Sequence, residues 1–123
     1  MALEDRIERF RHAYEKALAC QWKGGPASIA NHLQRRKMRG HLPPDAAESD
    51  LIRRGMKVLQ STAAAVYEYM PSETLYFVVH EEWAVFFDEE GLWDTAFPPD
   101  LLERYFDSTK GYKLLGKLGE LIP

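Results

Sequence analysis

Two histidines bracket a run of cations in the first half of the chain. His32 and His41 stand on either side of four basic residues, Arg35, Arg36, Lys37 and Arg39. Metal-free cleavage of RNA uses an imidazole that titrates near neutral pH beside fixed cations: one group takes the proton of the 2′-hydroxyl, another protonates the leaving oxygen, and the cations stabilise the charged phosphorane. A solvated basic helix face with incidental histidines is the alternative, and it is the commoner origin of such a cluster.

Other familiar catalytic and metal-binding patterns are missing from the sequence. It contains no Walker loop, no G-x-G-x-x-G, no paired C-x-x-C and no H-E-x-x-H. The lone Cys20 is interpreted as a core or half-buried thiol rather than a nucleophile. The histidines have no spacing that would gather several ligands around one ion. We therefore predict neither a metal site nor a cofactor.

Charge divides the chain into a basic and an acidic half. Residues 1–60 carry 12 Lys and Arg against 7 Asp and Glu, whereas residues 61–123 carry 4 against 12. The basic half could attract an anion such as RNA, and the acidic half would repel it. Two solvated surfaces without a charged partner would give the same pattern.

Length and composition indicate one ordinary globular domain spanning residues 1–123. The chain is 46% hydrophobic and 28% charged, which argues against disorder. One cysteine excludes an intramolecular disulfide and favours a reducing compartment, so we expect a cytoplasmic protein. No apolar run approaches the ~20 residues of a membrane span, and residues 1–6 lack the apolar region of a signal peptide.

The hydrophobic pattern changes from helical to strand-like along the chain. A stripe at spacings of three and four predicts a first helix, made by Leu3, Ile7, Phe10, Tyr14, Leu18 and Trp22. Ser28 could cap a second helix ending near Met38, and Asp45 or Ser49 could cap a third ending near Thr62. After residue 65, short aromatic and β-branched runs predict strands over residues 66–70, 75–80, 83–87 and 92–97. Residues 63–70 could instead extend the third helix.

These elements predict an α+β fold. About three N-terminal helices precede a three- to four-stranded sheet, which should be antiparallel because its connections are too short for crossover helices. A short C-terminal helix over residues 101–106 should follow the sheet, and residues 110–123 are expected to form a loose final helix.

Two short motifs add a family resemblance. The basic segment reads H-L-x-x-x-x-x-x-G-H from His32 to His41, and the last predicted hairpin ends in Thr95-Ala96-Phe97-Pro98-Pro99. In this order, over about residues 29–106, the chain resembles the superfamily of barnase, EndoU, colicin D and RelE-like ribonucleases, found as bacterial toxin and phage-encoded domains. The resemblance implies a metal-independent endoribonuclease with its active site on the concave sheet face.

The resemblance also implies roles for individual residues. His32 or His41 would supply the helix histidine, and Thr95 would be the strand threonine near the phosphate. The candidates for phosphate-binding cations are Arg35, Arg36, Arg39 and Lys110. An acidic hairpin departs from the family pattern, because Glu89 and its neighbours crowd the surface that would face RNA.

A second hypothesis is a non-catalytic module that binds a protein partner, as an accessory or immunity-type protein would. The second half of the chain is acidic and rich in aromatic side chains, which interfaces favour. A half-buried sheet face needs aromatic residues as well, so most of them are expected to pack in the core.

Overall fold

The computed structural model describes residues 2–70, 73–99 and 105–122. Helices come first and strands follow, so the predicted α+β class is confirmed. The elements are α1 (Leu3–Ala17), α2 (Pro26–Met38), α3 (Glu48–Leu59), β1 (Ala65–Tyr69), β2 (Leu75–His80), β3 (Trp83–Asp88), β4 (Trp93–Phe97), a 3-10 helix (Ser108–Lys110), β5 (Tyr112–Lys117) and α4 (Leu118–Leu121).

Helix α2 ends at Met38 as predicted, but the other predicted helix ends differ from those of the structure. Helix α1 stops at Ala17, and Trp22 instead forms a bridge to β4. Helix α2 begins at Pro26, because proline in the first turn needs no hydrogen-bond partner for its nitrogen. At the start of α3 the main-chain N–H of Ala47 donates to Asp50 Oδ2 at 2.7 Å. The carboxylate of a residue inside the helix therefore caps its N-terminus.

The sheet has five antiparallel strands in the order β4-β3-β2-β1-β5. The prediction of three to four strands was too low because the tail, expected to be a loose helix, forms β5 beside β1. Leu114 is exposed and Leu115 is buried, which is the alternation of a strand. Residues 65–69 form β1 and do not extend α3. Most of the predicted helix over residues 101–106 lies outside the described residues.

Each face of the sheet has its own hydrophobic core. On one side α1 and α3 cover the sheet, and Phe10, Leu51 and Trp93 are fully buried between them. Aromatic side chains fill the other side, where Phe77, Phe86, Phe97, Phe106 and Tyr112 pack against one another. None of the helices in the described ranges has the length and apolar character needed to traverse a bilayer.

Trp93 anchors β4 to the helices. Its indole Nε1 donates to the carbonyl of Ala17 at 2.8 Å, and the ring lies against Gly55 of α3. A Cβ at Gly55 would be 2.5 Å from Trp93 Cζ3, so glycine is required there although it costs helix stability. Strand β4 is therefore held at a fixed distance from both helices.

The opposite charges of the two halves meet within the fold. Among the described residues, basic side chains of α1 and the segment after it reach carboxylates of the sheet and its loops in five ion pairs: Arg6–Glu68, Arg9–Glu89, Lys16–Glu90, Lys23–Glu73 and Lys23–Asp88. On α3, Lys57 lies 3.6 Å from Glu81. Much of the acidic half is thus neutralised by α1 and α3, and the charge split does not give two separate surfaces.

Candidate functional site

The candidate site lies where α2 runs beside β4, at one edge of the sheet. His32 Nδ1 of α2 is 3.1 Å from Thr95 Oγ1 of β4, which is hydrogen-bonding distance. A side chain predicted from the helical half and one predicted from the last hairpin therefore meet, although 63 positions separate them in the chain.

A bulge in β4 gives Thr95 its orientation. The register pairs Phe87 with Trp93 but Phe86 with Thr95, so Asp94 is an extra residue in the strand. In a regular strand, Trp93 and Thr95 would face the same side. The bulge reverses the pattern: Trp93 enters the helix-side core, and Thr95 lies opposite Phe86 of the aromatic core.

Arg36 is the most unusual side chain of the site. It follows His32 by one helical turn and is only 5% exposed. Its guanidinium carbon lies 5.5 Å from the centre of the Phe97 ring, a cation–π contact. Within the described part of the chain, the buried Nε and Nη1 atoms have no hydrogen-bond partner. Burial, with the neighbouring charges of Arg39 and Arg35, lowers the Arg36 pKa.

The same surroundings favour the neutral form of His32. The imidazole is half-buried, with its ring centre 5.3 Å from that of Trp22. Burial lowers the His32 pKa most, and the cations Arg35 and Arg36 lower it further, while Asp94 opposes them. The imidazole is therefore predominantly neutral near pH 7, as a general base must be.

The basic side chains of α1 are paired with carboxylates, whereas those of α2 have no such ion pairs in the described part of the chain. Among the residues the structure describes, no carboxylate lies within ion-pair distance of any of the four, Arg35, Arg36, Lys37 and Arg39. Arg35 and Arg39 are exposed beside the buried Arg36. The α2–β4 edge is therefore electropositive, and its donors suit an anionic ligand.

Two other predicted residues take different places. His41 lies in the turn after α2, where its main-chain N–H donates to the Arg36 carbonyl at 2.8 Å. Lys110 ends the 3-10 helix that precedes β5, and β5 and β4 are opposite edges of the sheet. The structure therefore joins His32, Thr95 and Arg36, keeps His41 near the end of the same helix, and does not bring Lys110 to this edge.

Trp22, Asp94 and Phe97 belong to the site, but sequence reasoning did not assign them to it. Trp22 fits the apolar stripe predicted for the first helix, and Asp94 is one of the acidic residues of the second half. The i, i+4 spacing of His32 and Arg36 was a usable signal for a shared helix face. The bulge that turns Thr95 and Phe97 to the face opposite Trp93 had no signal in the sequence.

Neither a metal centre nor a reactive thiol is assembled from the described residues. No three His, Cys, Asp or Glu side chains come together there as ligands. Cys20 is half-buried and lies outside the α2–β4 pair. Burial raises the pKa of its thiol, so the reactive thiolate is disfavoured.

No protein-family model, no curated protein and no solved structure matches the chain.

Proposed function

We propose that the α2–β4 edge binds a phosphodiester of RNA and cleaves it without a metal ion, in the cytoplasm. The observation that carries this proposal is Arg36, a buried guanidinium that has no carboxylate partner among the residues the structure describes, one turn from the His32–Thr95 pair. A buried cation normally needs a counter-charge. A phosphate bound at this edge would supply one.

His32 is the proposed general base. When its Nδ1–H donates to Thr95 Oγ1, the imidazole Nε2 keeps a lone pair that can accept the 2′-hydroxyl proton. The 2′-oxygen then bonds to phosphorus, the bond to the 5′-oxygen breaks, and a second acid protonates that leaving oxygen. His41 is the candidate acid, since it follows α2 directly. Arg36, with Arg35 at the rim, would stabilise the charged phosphorane.

The ion pairs of α1 weaken the objection that an acidic hairpin would repel RNA. Glu89 and Glu90 face Arg9 and Lys16 of α1, and Asp88 caps its own turn by accepting from two main-chain N–H groups. Asp88 and Glu90 therefore have close local partners, whereas Glu89 has only the 3.9 Å contact with Arg9. Asp94 is the acidic residue that remains electrostatically coupled to His32.

Cleavage of RNA in a chelator tests the proposal. The purified protein should degrade tRNA or total RNA in excess EDTA and leave 2′,3′-cyclic phosphate ends. His32→Ala should abolish this activity, whereas His12→Ala should not, because His12 is an exposed histidine on α1. No cleavage across a broad panel of RNAs, or cleavage that survives in His32→Ala, would refute the assignment.

A protein-binding role is the second candidate, and the acidic hairpin favours it. Glu73, Asp88, Glu89 and Glu90 line a cleft of about 220 Å³ together with Thr74. A basic partner would match this charge. Capture of such a partner should be lost in Glu89→Lys/Glu90→Lys and weakened by salt. Recovery that is insensitive to both changes would count against this role.

A further inference from the structure

A second cationic cleft lies away from the α2–β4 edge. Five residues of α1, β1, the end of β1 and β5 line it, enclosing about 230 Å³: Arg6, Arg9, Glu68, Met70 and Lys113. Strands β1 and β5 are adjacent at the opposite edge of the sheet from β4. The cleft is therefore a separate feature, and an inference from it does not rest on the proposed function.

The base of this cleft is a fixed ion pair. Glu68 is 4% exposed, and one of its oxygens, Oε1, accepts from Arg6 Nε at 3.0 Å and from Nη2 at 2.7 Å. Arg6 already neutralises the buried Glu68 carboxylate. Glu68 therefore does not balance the positive charges of the other two cations of the cleft, Arg9 and Lys113.

The remaining cations are weakly paired. Arg9 Nη1 lies 3.9 Å from Glu89, a long contact between side chains that are both about half exposed. Lys113 forms no ion pair with the residues that the structure describes. Arg9 and Lys113 are thus available to an anion that enters the cleft, as charge-assisted hydrogen-bond donors.

Tyr76 adds a buried polar group beside the same residues. It lies opposite Glu68 in the sheet, is fully buried, and its hydroxyl has no hydrogen-bond partner in the described ranges. Burial raises its pKa to about 12, with smaller contributions from Glu68 and Glu89 that Arg9 and Arg6 oppose. The hydroxyl therefore stays protonated and, at this end of the sheet, is a donor without an acceptor.

We propose that the cleft binds the phosphate group of a small phosphorylated ligand through Arg9 and Lys113. The Arg6–Glu68 pair forms its rigid base, and Met70, 60% exposed at the rim, offers an apolar wall for the organic part. A phosphate dianion matches two convergent cations better than a carboxylate does, because its three oxygens accept from both at once.

The test is a titration of the full-length protein with inorganic phosphate, followed by NMR of the labelled chain at constant ionic strength. Resonances of Arg9, Lys113 and Tyr76 should shift in a saturable way. Lys113→Gln or Arg9→Gln should weaken binding about tenfold or more. Lys117→Gln is the matched control, since it removes an exposed lysine from the same strand outside the cleft.

Three results would overturn the proposal: no saturable shift in the cleft, equal weakening by Lys113→Gln and Lys117→Gln, or unchanged binding in both cleft variants. His32→Ala separates this site from the RNA site, because it should leave phosphate binding in the cleft intact while abolishing cleavage. Loss of cleavage and loss of cleft binding are therefore distinguishable failures.

Discussion

Replacing Arg36 with methionine should stabilise the free protein and weaken its binding to RNA. Methionine keeps most of the buried volume and a similar helix propensity. It removes a charge that is 5% exposed and has no ion-pair partner among the described residues. Replacing buried ionic groups with apolar residues is neutral or stabilising by about 1–4 kcal/mol. Losing the cation–π contact with Phe97 costs about 0.5–2 kcal/mol, and the difference between the two mid-range values is a net gain of about 1 kcal/mol.

Urea unfolding monitored by tryptophan fluorescence measures this gain as a higher midpoint at an unchanged m value. Arg35→Met is the matched control: it removes the neighbouring charge of the same helix from an exposed position, where stability should change by no more than about 0.5 kcal/mol. RNA binding should weaken in both variants, and more strongly in Arg36→Met because its guanidinium lies deeper in the site.

A loss of more than about 1 kcal/mol in Arg36→Met, at unchanged RNA binding, would refute this reasoning. Arg36 would then be a structural side chain whose packing outweighs its desolvation. The buried cation would no longer indicate a ligand, and the observation that carries the proposed function would be lost.

Two further predictions concern a titration and a turn. Arg35→Gln should raise the His32 pKa, Asp94→Asn should lower it further, and NMR titration of the imidazole measures both. Folding lowers the His32 pKa below its unfolded value of about 6.5, so the unfolded state binds more protons than the folded state. The free energy of unfolding therefore decreases as the pH falls below that value. At the turn between β2 and β3, Glu81 and Glu82 have φ of +49° and +69°, so Glu81→Asn/Glu82→Gly should raise the free energy of unfolding by about 1 kcal/mol in urea. A destabilised double variant would show that the contacts of Glu81 outweigh this backbone strain.

Helical periodicity predicted the helices, and runs of aromatic and β-branched residues predicted the inner strands β2 and β3, which are buried on both faces of the sheet. The strand β5 in the tail was not predicted, for a physical reason. Residues 112–117 mix lysine, leucine and glycine, and their strand conformation depends on the free edge of β1, which local propensity does not reveal. Trp22 was similarly assigned to the first helix, because its bridge to Trp93 is a long-range contact.

The site was predictable in part. Residue type and spacing pointed to His32 and Arg36, the family resemblance added Thr95, and all three lie at one edge of the sheet. The resemblance implies a phosphate-binding role for Lys110, whereas the strand order puts it beside the opposite edge of the sheet. The burial of Arg36 could not be predicted, since it follows from the packing of α2 against Phe97.

Contact between RNA and the α2–β4 edge tests the central claim most directly. A short 2′-O-methyl RNA, which cannot be cleaved through its 2′-oxygen, should be titrated into the labelled protein and followed by NMR. The proposal predicts saturable shifts of the His32 imidazole and the Arg36 guanidinium, with a rise in the His32 pKa as the phosphate binds. Shifts confined to the other edge of the sheet, or no saturable shift, would contradict it.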